Sequence, residues 1–452
     1  MVLMKVYYKS PIFMQNILTS VRGYQYKRQR NGKYYQREMD FYNKFDVTDE
    51  VAVQKYQAKE LQRLLHFVVN HSPFYKEFYK NIDIRQIQTP DDLKKLPILE
   101  KKIVRNHIEE MYTISEKEAV VSHTSGTTGT PMKFLHTYEG IQRRNAILDD
   151  FKREHGFING QMKKASFNSS EIVAADQQRK IFWRDNVPMK QRLYSSFHSQ
   201  AENIHYYVKN LNEYKPISLD GYPSTLYEIA RYINTKEISL DFKPIAIFPT
   251  AETLHPHYRE EIERAFKCKV FNQYASSEGA PFVVECTAGN LHYHKLSGVI
   301  EQVEDDEMLI TSFMNNGTPL IRYRIGDKIN FSEEKEKCAC GSAFPIVQSL
   351  EGRSTDYIES EEKGKVTAVF LSIISEEFKT SIVNMQYIQK KLNHVIVNIV
   401  PDSSYEEKID NIILQKLIYT FGENMTIKLR KVPEIPKDKS GKFKFVRNHL
   451  AR

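Results

Sequence analysis

Residues 122–134, SHTSGTTGTPMKF, set four threonines, two serines, two glycines and one lysine in one short stretch. Glycines let backbone amides approach a ligand closely, and hydroxyls add donors that suit phosphate oxygens. A nest of such donors binds anions, and a nucleotide triphosphate is the obvious candidate. The stretch is not a P-loop, because the spacing from Gly126 to the next glycine and to Lys133 departs from G-x-x-x-x-G-K-[ST]. It also lacks the dinucleotide fingerprint G-x-G-x-x-G. Taken alone, it is compatible with a polar surface turn too.

A second chemistry is suggested by cysteine and histidine. Cys286 and His292 stand in ECTAGNLHYH, and Cys338 and Cys340 in CACG. Soft thiolate and imidazole ligands from separate turns suit tetrahedral zinc. The spacing is looser than paired C-x-x-C, so reduced free thiols are the alternative, and His294 competes with His292 as a ligand. Cys268 stands apart. Four cysteines in 452 residues are no disulfide framework, and a cytoplasmic location is expected.

The elements that must position these residues follow from periodicity. In LQRLLHFVVN, Leu61, Leu64, Leu65 and Val68 fall at helical spacing, and TPDDLKKLPILEKKIVRNHIEEM continues as short, proline-punctuated helices. From 140 to 240, helical patterns alternate with short apolar runs such as PIAIFPT, which argues for α/β layers around a largely parallel sheet. After 280, FVVEC, LHYHKLSGVIEQV, EMLITSF and PLIRYRIGDKINF are strand-like and close together, as in a small antiparallel sheet or barrel. Beyond Arg353, VTAVFLSII, NMQYIQKKL, HVIVNIV and IKLRKV suffice for a compact α+β unit.

Composition bounds the rest. The chain is 41% hydrophobic and 12% aromatic, enough for two or three packed domains. Its net charge of +8 suits an anionic substrate, but no recognition motif accompanies it, so nucleic-acid binding is not expected. No apolar run has the ~18 residues needed for a transmembrane segment. The start, MVLMKVYYKSPIFMQNILTS, is interrupted by Lys5, Lys9 and Pro11 and makes a poor signal peptide. The basic, tyrosine-rich VRGYQYKRQRNGKYYQR is either a solvated, loosely docked arm or a weak peripheral contact with a membrane or surface-polysaccharide machinery.

Further motifs follow the first in order: FNQYASSEG at 271–279, LIRYRIGDKI at 320–329, GRSTDYI at 352–358 and PKDKSGKFKF at 436–445. With TSGTTGTP they resemble the ordered signature of the adenylate-forming superfamily of acyl-CoA ligases, luciferases and adenylation domains, over nearly the whole chain. LLHFVVNHSPFYKEFY, DDLKKLPILEKKIV and LDGYPSTL resemble its phenylacetate-CoA ligase and CapK-like branch, found in capsular polysaccharide loci. The C-terminal MQYIQ leans toward the capsule-associated subgroup. One departure stands out: the superfamily's Tyr-Gly is here Tyr274-Ala275, which alters the fit beside the adenine or acyl pocket.

The resemblance implies a fold and a set of roles. The α/β fold would have a large N-terminal domain, residues 1–352, of layered α/β subdomains and a small β-rich subdomain. A small, mobile α+β lid, residues 353–452, would follow. Thr124, Ser125, Gly126, Thr127, Thr128 and Gly129 would hold the β- and γ-phosphates of ATP, with Lys133 nearby. Tyr274 would flank the adenine, Ala251 and Glu252 would line its edge, and Asp327 would accept the ribose hydroxyls. Ser277 would meet the α-phosphate, and Glu278 would hold Mg²⁺, a hard cation suited to carboxylate. Arg353 would reach the ribose or phosphate, with the hinge at Thr355 or Asp356. Lys442 would bridge the attacking carboxylate and the α-phosphate, and His198 would line the acyl pocket. Zinc in this branch would be structural.

The implied activity is ATP-dependent activation of a small-molecule carboxylate as an acyl-adenylate, with release of pyrophosphate. Transfer to CoA or another thiol, or to an amine or sugar acceptor, would follow. The rival is a catalytically idle nucleotide-binding or scaffolding protein, against which Glu278, Asp327 and Lys442 all stand intact.

Overall fold

The computed structural model describes residues 2–123, 132–168, 172–174, 177, 179–199, 202–333, 337–351, 357–378, 380–438 and 443–450. Residues 124–129, expected to hold phosphate, Arg353 with the expected hinge at 355–356, and Lys442 therefore lie outside the described residues.

Helix Glu50–His71 begins where Asp49 accepts a hydrogen bond from the Ala52 amide at 3.0 Å, satisfying one of the donors left free at a helix start. Val53, Gln57, Leu61, Leu64, Leu65 and Val68 form its buried stripe, as the spacing requires. Upstream, where the sequence suggested a loose arm, helices Val2–Lys9, Ile12–Arg30 and Lys33–Tyr42 dock on the body instead. A buried ionic cluster pins the third of these. Arg143 Nε meets Glu38 Oε1 at 2.6 Å and its Nη2 lies 3.4 Å from Glu60 Oε2.

The expected parallel sheet has five strands, in the order Trp183–Asn186, Gln191–Ser195, Lys164–Asn168, Ser218–Gly221, Ala246–Pro249. The last four run parallel, and only the edge strand Trp183–Asn186 is antiparallel. Helices Ile204–Tyr214, Pro223–Thr235 and Pro256–Phe266 bury Leu211, Leu226, Ile229 and Ile262 against it.

The strand-rich region is an antiparallel sheet of seven strands, running Gly298–Gln302, Glu307–Ser312, Tyr323–Phe331, Ile346–Glu351, Leu291–Tyr293, Val283–Glu285, Gln273–Tyr274. The C-terminal residues form their own core. A hairpin, Tyr357–Ser360 with Gly364–Thr367, precedes helix Ala368–Glu377. A four-stranded sheet follows, in the order Thr426–Lys431, His394–Pro401, Ile382–Lys391, Val446–Asn448, and helix Lys408–Phe421 packs on it. The molecule is thus layered α/β followed by a compact α+β unit.

That unit is docked on the large one. Arg231 Nη2 pairs with Asp402 Oδ2 at 2.7 Å, and the Tyr258 hydroxyl donates to Asn384 Oδ1 at 3.0 Å.

Candidate active site

Strand Gln273–Tyr274 leaves the edge of the antiparallel sheet into the turn at 275–279. The Tyr274 hydroxyl donates to Asp327 Oδ2 at 2.5 Å, so the residues expected at the adenine and at the ribose are in contact. Asp327 is buried in strand Tyr323–Phe331. Ser276 Oγ accepts from the Ala280 amide at 3.0 Å and Asn315 Nδ2 donates to the Glu278 carbonyl at 3.3 Å, which closes the turn. Gly279 adopts φ +91°, a left-handed conformation costly for other residues.

Glu278 is buried, and the Ser277 hydroxyl donates to its Oε2 at 3.0 Å. Ser277 itself is exposed, as is Ala275. Strands Val120–His123 and Lys133–His136, which flank residues 124–131 in the sequence, pair antiparallel, with His123 opposite Lys133. The first of these reaches the turn, where Ser122 Oγ donates to the Ser277 carbonyl at 3.4 Å. Lys133, expected near phosphate, pairs its ammonium with Glu116 at 2.7 Å.

Arg144 is the cation beneath this turn, and sequence reasoning missed it. Its Nη1 donates to the Ala280 carbonyl and its Nη2 to the Ser276 carbonyl, both at 3.1 Å, and the guanidinium lies 4.6 Å from the Phe282 ring centre. Burial pushes its pKa down to about 10, while Tyr274 and Glu278 work in the opposite direction. In the sequence Arg144 is one of two adjacent arginines on an amphipathic helix, which ordinarily point to water.

The strand Ala246–Pro249 leads into Ala251 and Glu252, the other residues expected at the adenine. Gln273 Nε2 donates to the Pro249 carbonyl at 3.2 Å, holding this segment beside Tyr274. Ala251 follows at φ +68°, an uncommon conformation for a residue with a Cβ. Glu252 Oε2 accepts from the Ser224 amide at 3.0 Å, and its Oε1 accepts from the Phe443 amide at 2.7 Å. The neighbour of Lys442 is thereby bonded to the segment expected at the adenine edge.

A second lysine of the tail enters the large unit. Lys437 Nζ donates to the Ser196 carbonyl and to Ser199 Oγ, each at 2.9 Å, and to Thr225 Oγ1 at 3.0 Å. Glu228 Oε2 lies 3.4 Å away. Several lysines crowd PKDKSGKFKF, and nothing in their spacing singles out Lys437. His198, beside this contact, uses both ring nitrogens internally: Nδ1 with Ser195 Oγ at 2.8 Å and Nε2 with the Ala174 carbonyl at 3.1 Å.

The Cys/His cluster assembles on the antiparallel sheet, with His292 in strand Leu291–Tyr293 and Cys286 just after strand Val283–Glu285. Cys286, His292, Cys338 and Cys340 place their ligand atoms within 4.8 Å of one another. Cys286 Sγ lies 3.6 Å from Cys338 Sγ, and Cys340 Sγ lies 3.5 Å from His292 Nε2. Those spacings approach the edges of a tetrahedron around zinc, roughly 3.5–3.8 Å for Zn–S near 2.3 Å. His292 Nδ1 bonds to the Phe344 carbonyl at 2.8 Å, leaving Nε2 for the metal, the usual way a protein fixes a ligand's tautomer. Burial disfavours the Cys338 thiolate, but the Cys340 amide and Asn290 donate to it and draw its pKa below the ordinary thiol value. The residues fit zinc. His294 packs instead on the rings of Tyr42 and Phe344, and Cys268 belongs to another core. For Mg²⁺, one buried carboxylate at Glu278 beside serine hydroxyls is a sparse set, and it fits a cation that keeps waters and phosphate oxygens.

The family model described as the CapK C-terminal domain matches residues 358–449. Over 455 residues the chain is 35% identical to protein CapK of Staphylococcus aureus, covering 98% of this chain and 99% of that protein. The chain belongs to the CapK family. This CapK family member is also 24% identical over 270 residues to the indoleacetate–lysine synthetase of Pseudomonas savastanoi, covering 58% of the chain and 66% of that enzyme. Among solved structures, 2-hydroxyisobutyryl-CoA ligase in its postadenylation state, in complex with R3-HIB-AMP, superposes with a TM-score of 0.63. That match covers 88% of this chain and 89% of the ligase at 14% identity, which places the two in one fold.

Proposed function

We propose that this CapK family member is an ATP-dependent ligase that activates a carboxylate as its acyl-adenylate and transfers the acyl group to an acceptor. The observation that carries this reading is the joined set Tyr274–Asp327, Ser277–Glu278 and Ser122, gathered at one turn over Arg144. The obstacle in adenylation is electrostatic, since a carboxylate must approach a polyphosphate. Positioned cations and donors therefore do most of the work. Arg144 stiffens the turn that presents Ser277 to the α-phosphate. Asp327 holds the ribose, Tyr274 and Ala251–Glu252 the adenine, and residues 124–129 with Lys133 the outer phosphates. Glu278 would hold Mg²⁺, which offsets phosphate charge. Lys442 neutralises the attacking carboxylate, and Arg353 supports the nucleotide near the hinge. Ala275 and His198 border the acyl side.

The relatives support the class of reaction. One is named for joining indoleacetate to lysine and the other for joining an acid to CoA, so an amine or a thiol is the acceptor chemistry to test first. The resemblance to capsule-locus proteins supports a role in surface polysaccharide assembly. We further assign zinc to Cys286, His292, Cys338 and Cys340, where it would tie two turns together without touching substrate. The deciding experiment is carboxylate-dependent exchange of labelled pyrophosphate into ATP across a panel of acids. Exchange with some acids is expected. Tight ATP binding with no exchange for any acid would favour the idle nucleotide-binding alternative.

A further inference from the structure

Helix Ile12–Arg30 inverts the polarity of an ordinary surface helix. One line of polar side chains faces the protein: Gln15 Oε1 accepts from Arg184 Nε at 2.6 Å, and Asn16 Oδ1 accepts from the Asp185 amide at 3.1 Å. Ser20 Oγ donates to the Asp185 carbonyl at 3.2 Å, and Lys27 Nζ to the Pro188 carbonyl at 3.3 Å. Gly23 allows the close approach, because a Cβ there would collide with Asn186. The apolar side chains face water. Phe13, Met14, Ile17, Leu18, Val21 and Tyr24 are all exposed, Phe13 to 64% and Ile17 to 57%. Phe13, Ile17, Val21 and Tyr24 follow one another at helical spacing and so share a face. Water-facing helices normally do the reverse, and a continuous apolar stripe of this length marks a surface that meets something apolar.

Charge identifies what that is. Residues 1–37 contain eight Lys and Arg and no Asp or Glu. The whole chain has 65 basic and 57 acidic side chains, so the 57 basic ones that remain equal the acidic ones. The net charge of the protein thus resides entirely in this N-terminal arm. Arg22, Arg28 and Arg30 are exposed along the same helix. An apolar stripe with flanking cations is the pattern of a helix lying in the boundary between lipid headgroups and acyl chains. A second copy of the chain is a poor occupant, since pairing the faces would bring two sets of eight cations together. No helix among the described residues is long and apolar enough to cross a membrane, so the contact lies in the interfacial plane.

We propose that helix Ile12–Arg30 docks the protein on an anionic phospholipid surface, with Phe13, Ile17 and Val21 entering the headgroup boundary and the arginines meeting phosphate. The test is co-sedimentation of the full chain with phosphatidylcholine vesicles, with and without about 30% phosphatidylglycerol. Binding is expected to the anionic vesicles, to weaken in high salt, and to be nearly absent with phosphatidylcholine alone. Phe13→Ser with Ile17→Ser should lower partitioning at least about tenfold, and Arg28→Glu with Arg30→Glu should lower it comparably. Neither pair removes a buried side chain, so thermal melts should match the parent. Absence of vesicle binding by the parent, or equal binding by both variants, overturns the proposal. A dimer in sedimentation velocity that Phe13→Ser with Ile17→Ser dissolves, without vesicle binding, would assign the face to a second copy instead.

Discussion

The Tyr274 phenol occupies an acceptor on Asp327 that, on the proposed reading, a ribose would need. Asp327→Ala should weaken ATP binding by roughly 1.5–3 kcal/mol, the usual worth of a hydrogen bond to a charged group. Calorimetry showing unchanged affinity would remove Asp327 from the ribose. Two histidines give the protein a pH dependence of defined sign. Burial, and then the charge of Arg144, push His136 down to about 4, and burial, then His257, push His255 down to about 3. In the unfolded chain both return to about 6.5. The unfolded state therefore takes up protons first. Stability is unaffected above about pH 6.5 and falls as the pH drops toward 4, by roughly 3 kcal/mol for each histidine. Urea midpoints at about pH 7, 5.5 and 4.5 should fall in that order, and more shallowly for His255→Phe. A pH-independent midpoint would mean that neither ring is held neutral by its surroundings.

Two short turns hold the Cys/His cluster, and they share a design. Cys286-Thr-Ala-Gly289 and Cys338-Ala-Cys-Gly341 each close with the glycine amide donating to the first cysteine's carbonyl, at 2.9 and 3.0 Å. Gly289 and Gly341 take φ +87° and +81°, which permits the closure. On the proposed zinc assignment, elemental analysis should find about one zinc per chain in the parent, and replacing Cys338 and Cys340 with serine should remove it and lower the melting temperature. A metal-free parent as stable as one given zinc would reduce the cluster to buried thiols. The four ligand residues were singled out in the sequence, as were the helical stripe Leu61–Val68, the largely parallel sheet and the antiparallel one, because periodicity and ligand chemistry are local. Arg144 was not legible, since its burial depends on the turn at 275–280 folding over it from more than a hundred residues away. The inverted helix at 12–30 was missed for a related reason. Its apolar residues are legible, but their exposure follows from polar partners at 183–188 that only the tertiary fold supplies.

At the scale of the whole molecule, the tail 436–443 connects the two units at two points with different chemistry. Lys437 is held among the Ser196 carbonyl, Ser199, Thr225 and Glu228, while the Phe443 amide bonds to Glu252 beside the proposed adenine edge. Lys437 therefore serves docking, and Lys442, on the proposed reading, serves chemistry. The two separate by experiment. Lys442→Ala removes an ammonium placed against developing charge, worth several kcal/mol in a shielded site, so adenylate formation should slow by roughly 10²-fold or more. Supplied with preformed acyl-adenylate and acceptor, that variant should transfer the acyl group at a near-normal rate, and its small-angle scattering should match the parent. Lys437→Met leaves Glu228 and two hydroxyls without their cation and loosens the docked arrangement. Its scattering should show a larger radius of gyration, and its adenylation should slow because the closed form is less populated. A Lys437→Met protein with unchanged dimensions and normal adenylation would show that Arg231–Asp402 and the Glu252 contact hold the units together without it.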